Sequence, residues 1–157
     1  MTPKIVRDDY GWQFSDFAEG MKIIHEPRKT IFESDNNLFS LMTMNHHPVH
    51  LDLDYAQGAK HGQILVVGPL IFSIIVGLTV STVSGKAIAN LEYEYIKHVA
   101  PVFVNDTIRA ETLVLEKTVS ENGNTGVLNI ETSGFNQKDQ KVIEFRRRVL
   151  LSISQLE

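Results

Sequence analysis

The chain has 157 residues, 43% of them hydrophobic and 22% charged, with 15 Lys and Arg against 19 Asp and Glu for a formal charge of -4. That is one globular domain with a full core; it excludes a disordered chain, a collagen-like repeat and a multidomain machine, and with no chain-wide basic field no nucleic-acid partner is expected. Cys is absent, which removes disulfides, Cys–zinc sites and thiol nucleophiles and fits a reducing, cytoplasmic setting.

Residues 1–20 carry scattered charges, Lys4, Arg7, Asp8, Asp9, Asp16 and Glu19, and no apolar run followed by small residues. They read as an irregular N-terminal arm and not as a signal peptide. With no repeat, low-complexity tract or linker, residues 1–157 read as a single domain. Met21 to Ile31 predicts a strand. Thr30-x-x-Glu33 opens a capping-box pattern, and Leu38, Leu41 and Met42 at i, i+3 and i+4 predict a short helix over Ser34 to about Met44. Pro48 turns His47 away from helical angles, so Asn45 to His50 is an ordered loop, with one more helical turn at Asp52 to Gln57.

Ile64 to Gly85 holds no charged residue, but Gly68-Pro69 cuts it. Ile64 to Val67 is then a short buried stretch and Pro69 to about Val83 a helix of roughly 22 Å, too short for a ~30 Å hydrocarbon layer. Apolar all round, that helix is a buried one, and no membrane partner is expected.

The second half changes period. Leu91, Tyr93 and Tyr95 alternate with Glu92 and Glu94, the mark of a half-buried strand over Ala87 to His98. Thr107 to Ser120 is a further extended run, and Glu121-Asn122-Gly123-Asn124 is a hairpin turn that returns the chain along Val127 to Phe135. A second turn at Asn136 to Gln140 leads to a last strand over Val142 to Ile153, with Ile143, Phe145, Val149, Leu151 and Ile153 on one face. The sum is an α+β fold in which antiparallel strands wrap one long buried helix.

The densest polar constellation is Asn45-His46-His47-Pro48-Val49-His50. His47 and His50 match no closed zinc spacing and no HExxH helix, so no metal is expected. An isolated His is usually a surface or hydrogen-bonded core group; three clustered beside a Pro-fixed loop, shortly before a helix, point instead to a functional site. Gly68 is either a plain turn glycine or the first free N–H of the buried helix, where developing negative charge would be stabilised. Arg146-Arg147-Arg148 lies in a strand and alternates faces, solvated, paired or bound to phosphate. Arg28 and Lys29 are surface residues or partners of a substrate carboxylate.

Leu38-Phe39-Ser40-Leu41-Met42-Thr43-Met44-Asn45-His46-His47-Pro48-Val49-His50-Leu51-Asp52 resembles, without a gap, the L-F-A-G-L-S-G-D-x-N-P-L-H-x-D motif of the MaoC-like (R)-specific enoyl-CoA hydratases. His61 to Gly68 resembles that family's F-G-R-P-I-A-H-G segment, and Ala100 to Thr107 its A-P-V-x-x-G-D-T turn. The likeness runs from about Lys22 to Ser154. It implies a hotdog fold, a homodimer or higher homo-oligomer with sites at the subunit interface, an acyl-CoA thioester as substrate, and no cofactor beyond the coenzyme A that the substrate carries. It also implies catalytic roles for the motif's Asp, Asn and His and substrate binding by the helix-opening Gly. His50 matches the motif His and Gly68 the Gly, whereas Asn45 stands in place of the Asp and His47 in place of the Asn.

Asn45 cannot titrate; His47 restores a second titratable group, so His47 and His50 can divide acid and base roles with Asn45 as the orienter. A subgroup with T-M-N-P-Q-P-L-H resembles the chain more closely and is linked to branched, dicarboxylic enoyl-CoA thioesters of the mesaconyl or itaconyl type. The expected activity is therefore a hydro-lyase adding or removing water at a 2-enoyl-CoA. The alternatives are a hotdog thioesterase, which usually places an acidic residue on the buried helix where Pro69 to Val83 has none, and a non-catalytic acyl-CoA-binding protein.

Overall fold

The computed structural model describes residues 10–153. In chain order the described residues form β1 (Lys22–Ile24), β2 (Lys29–Thr30), α1 (Glu33–Met42), α2 (Pro48–Leu51), α3 (Leu53–Gly58), α4 (Gly68–Leu78), a π-helical turn (Val80–Ser84), β3 (Ala87–His98), β4 (Thr107–Val119), β5 (Thr125–Phe135) and β6 (Lys141–Ser152). Strands pair antiparallel in the order β1-β4-β5-β6-β3, with β2 also on β4. The sheet curls around α4, so the expected α+β architecture is the one found. Both hairpin turns form, with Gly123 at φ 71° in one and the Asn136 side chain accepting from the backbone of Lys138 and Gln140 in the other.

Several boundaries differ from the sequence reading, each for a local reason. The strand expected over Met21 to Ile31 is two short pieces, because Pro27 lacks an N–H for the ladder. The cap of α1 is not Thr30-x-x-Glu33. Phe32 precedes the helix, and Asp35 accepts from its N–H at 2.9 Å while also taking the Lys29 ammonium at 2.6 Å. The Asn45–His50 loop turns helical at Pro48, a residue suited to a first helical turn. The long helix stops as an α-helix at Leu78 and continues as the π-helical turn.

Nor is α4 buried all round. Leu70, Ile71 and Ile75 face the sheet, while Pro69, Ser73 and Gly77 are exposed at i, i+4 and i+8. In β3, register shifts on β6 move Tyr95 off the face of Tyr93. Tyr93 packs edge-on against Phe72 and Phe145, whereas Tyr95 donates to Glu131 at 2.9 Å on the outer face. β3 is an edge strand, at the opposite end of the order from β1, and Leu91 and Tyr93 are correspondingly exposed by 48% and 36% instead of half buried. On β6 the inward face runs Ile143, Phe145, Arg147, Val149 and Leu151, so the middle residue of the Arg run is a core residue; Arg146 and Arg148 pair outside with Glu131 and Glu92.

That Arg147 belongs to a polar belt dividing the core. Along β4 the inward residues are Ile108, Ala110, Thr112 and Val114; along β5, Leu128, Ile130 and Thr132; and α4 contributes Ile75 and then Thr79. Apolar clusters lie on either side of the level marked by His25, Thr79, Thr112, Thr132 and Arg147, all of them buried. His25 bonds Thr112 Oγ1 through Nε2 and Thr82 Oγ1 through Nδ1, both at 2.9 Å. Arg147 donates to Thr79 Oγ1 at 2.7 Å and to Asn90 Oδ1 at 3.2 Å. None of these partners is a carboxylate. Thr79 caps the C-terminal end of α4, which turns its partial negative charge toward the guanidinium, and the Tyr93 side chain also bonds it.

Candidate active site

The motif loop is built by the way α1 ends. Met44 takes φ 60°, and the Asn45 N–H reaches back to the Ser40 carbonyl at 3.0 Å, a helix stop that turns the chain sharply toward His47. Most L-residues avoid that conformation, which explains why the resembling motif has Gly where this chain has Met44. The same substitution recurs at Asn105, φ 73°, at the Gly position of the A-P-V-x-x-G-D-T turn, where Asp106 accepts from the Phe103 N–H at 2.9 Å.

His47 sits before α2 and accepts the Val49 N–H on Nδ1 at 3.2 Å. His50, half buried within α2, places Nδ1 2.7 Å from the Leu65 carbonyl. A carbonyl only accepts, so neutral His50 carries its hydrogen on Nδ1 and keeps the Nε2 lone pair free. In neutral His47 the arrangement is reversed, and Nε2 carries the hydrogen. The two rings stand 6.2 Å apart edge to face, and Tyr55 closes on His47 at 6.0 Å. Asn45 is half buried at the head of this loop.

Gly68 is the first residue of α4, followed by Pro69, and is not a positive-φ turn residue. A side chain there would meet His98, since a Cβ would stand 3.0 Å from both Cε1 and Nε2 of that ring. His98, at the end of β3, belongs to none of the motifs read from the sequence. Partial burial pushes its pKa below the ordinary imidazole value, keeping it neutral beside the positive end of the helix. The loop and the helix are joined: Leu65 donates to the Val49 carbonyl at 3.2 Å, and the side chain of Asn36 bonds both His50 and Val67. His50, His47, Asn45 and the approach to Gly68 therefore share one end of the fold. Arg147 is distant from them in the fold, on the polar belt, and Lys29 is engaged with Asp35. Among the described residues no group of three His, Cys, Asp or Glu side chains is placed to hold a metal ion, and no helix is long and apolar enough to cross a membrane.

An antiparallel sheet curled around one long helix is the hotdog architecture. Solved structures share it: the R-hydratase PhaJ1 of Pseudomonas aeruginosa, 23% identical with a TM-score of 0.74 over 92% of each chain, and a Mycobacterium tuberculosis protein with a double hotdog fold, 21% identical with a TM-score of 0.82, covering 94% of this chain and 46% of that one. The family described as MaoC like domain matches residues 16–135, and the chain belongs to it. Among relatives, the beta-methylmalyl-CoA dehydratase of Chloroflexus aurantiacus is 31% identical over 88% of this chain and 39% of its own length. The mesaconyl-CoA hydratase of Cereibacter sphaeroides is 28% identical over 93% of this chain and 43% of its own length. The chain thus spans less than half the length of these curated relatives.

Proposed function

We propose that this chain is a hydro-lyase that adds water to, or removes it from, the C=C of a 2-enoyl-CoA thioester. The observation that carries the reading is the His50 Nδ1–Leu65 carbonyl bond, which leaves Nε2 as a positioned base. In hydration, Nε2 takes a proton from water as the oxygen bonds to C3. The C=C electron pair moves toward the thioester, and the developing enolate oxygen rests against the Gly68 N–H at the start of α4. The proton taken up by His50 is then given from Nε2 to C2, so one imidazole serves as base and acid in turn, while the Nε2 hydrogen of neutral His47 holds the attacking oxygen. One water is consumed and no net charge is left. Asn45 orients the attacking water. The steps need no cofactor beyond the coenzyme A of the substrate.

The proposed substrate is short and branched or dicarboxylic, of the mesaconyl or itaconyl type. A carboxylate at position 45 would repel a second carboxylate on the substrate in a low-dielectric site, and a neutral Asn removes that repulsion. The names of the two relatives at 28–31% identity support the same class. We further propose that two copies associate along β3, whose edge carries exposed Ile88, Leu91 and Ile96, and that the chain acts in the cytoplasm, on the CoA thioesters found there. The test is a comparison of kcat/KM for mesaconyl-CoA, itaconyl-CoA and crotonyl-CoA, read as change in the conjugated C=C absorbance. Preference for the dicarboxylates is expected, and Asn45→Asp should lower it. A crotonyl-CoA preference contradicts the charge argument, and silence on all three favours an acyl-CoA-binding protein.

A further inference from the structure

Helix α1 is inverted with respect to an ordinary surface helix. Its apolar stripe, Leu38, Leu41 and Met42, is exposed by 51–71%, while Asn36 is buried to 1% exposure. Burying an amide is costly unless both of its ends are bonded, and here both are. The Asn36 Nδ2 donates to the His50 carbonyl at 3.0 Å, and its Oδ1 accepts the Val67 N–H at 2.9 Å. Val67 is the residue immediately before the first turn of α4, next to Gly68. One side chain therefore spans the main chain of the proposed base and the main chain that presents the proposed enolate donor. A second tie runs beside it, from the His50 ring to the Leu65 carbonyl.

We infer that Asn36 is a positioning residue that fixes the distance between His50 and the N-terminus of α4; the inference rests on the hydratase reading of this site. Asn is chemically specific here. Asp has the shape and can accept from Val67 but has no hydrogen for the His50 carbonyl while ionised. Leu has the volume and neither function, and Gln is one methylene too long for a packed site. Separation of base and enolate donor matters most in the transition state, so its loss lowers kcat more than it raises KM.

Asn36→Asp and Asn36→Leu are made in the full chain, with folding checked by near-UV circular dichroism. kcat and KM are measured across pH on the enoyl-CoA thioester most active with wild type, alongside ¹⁵N NMR of the His50 ring without substrate. Asn36→Asp should lower kcat by about 10- to 100-fold at neutral pH with KM nearly unchanged. Its kcat relative to wild type should then rise as pH falls, because a protonated carboxyl again donates to the His50 carbonyl; Asn36→Leu should show no such recovery. In both variants the His50 spectrum should lose its predominance of the Nδ1–H tautomer. Wild-type kcat in Asn36→Asp at neutral pH overturns the inference, and so does a loss with no pH recovery and an unchanged ring spectrum. If wild type turns over no thioester, it is the hydratase reading that fails; the ring spectrum still decides, and an unchanged His50 tautomer in both variants overturns the positioning role.

Discussion

Acidification from pH 7 to pH 5 should weaken the fold through His25. The ring is 3% exposed, and burial, with the Arg147 guanidinium nearby, lowers its pKa from 6.5 to about 4. In the unfolded chain His25 binds its proton at the ordinary value, so between those two limits the unfolded state holds more protons than the folded one. Stability is then full above about pH 6.5 and is lost as pH falls toward 4. At about 1.4 kcal/mol per pH unit, the loss is roughly 2 kcal/mol at pH 5 and about 3 kcal/mol near pH 4. Asp35, Glu111 and Glu144 lie below their ordinary values of 3.8, 4.5 and 4.5, so the stability they confer is lost only at lower pH. Urea unfolding at half-unit pH steps measures the slope, and His25→Gln provides the comparison, since a neutral amide occupies the belt without titrating. The variant should be less stable at pH 7 but markedly flatter between pH 7 and 5. Parallel pH profiles for wild type and His25→Gln would show that His25 does not carry the slope.

Two further substitutions test the site's backbone. Met44→Gly should stabilise the chain by about 0.5–1 kcal/mol, because Met44 holds φ 60° with an exposed side chain; the check is a higher urea midpoint at unchanged m-value. Gly68→Ala should lower kcat roughly tenfold, because the new Cβ presses the His98 ring at the mouth of α4, while the melting temperature changes little since Ala suits a helix better than Gly. A Gly68→Ala chain with unaltered kcat would remove Gly68 and its neighbour His98 from the site.

The strands β4 to β6 and their turns were legible because alternation and Asn/Gly turn chemistry are local signals that the tertiary structure has no reason to override. Where bulges intervene, as between Tyr93 and Tyr95, alternation misassigns the face, since a register shift leaves no mark in composition. The helix expected to end near Val83 stays helical to Ser84, but its change to a π-helical turn is not legible: Thr79 to Ser84 carries no Gly or Pro, and Thr79 and Thr82 bond there to the distant Arg147 and His25. Of the site, the motif residues and the helix-opening Gly could be read directly. Asn36 and His98 could not, because both act through partners 14 or more residues away: His50 and Val67 for Asn36, and Gly68 for His98. The same holds for Arg147, indistinguishable in sequence from its two solvent-facing neighbours.

If His50 is the acid/base group of a hydro-lyase, its removal shows in the turnover of His50→Ala on the enoyl-CoA thioester that wild type hydrates best, read as loss of C=C absorbance beside a fold check. Removing a positioned acid/base group typically costs ~10²–10⁴-fold in rate. In His50→Ala kcat should fall by that order with the unfolding transition nearly unchanged. A folded His50→Ala chain that retains wild-type turnover would contradict that role.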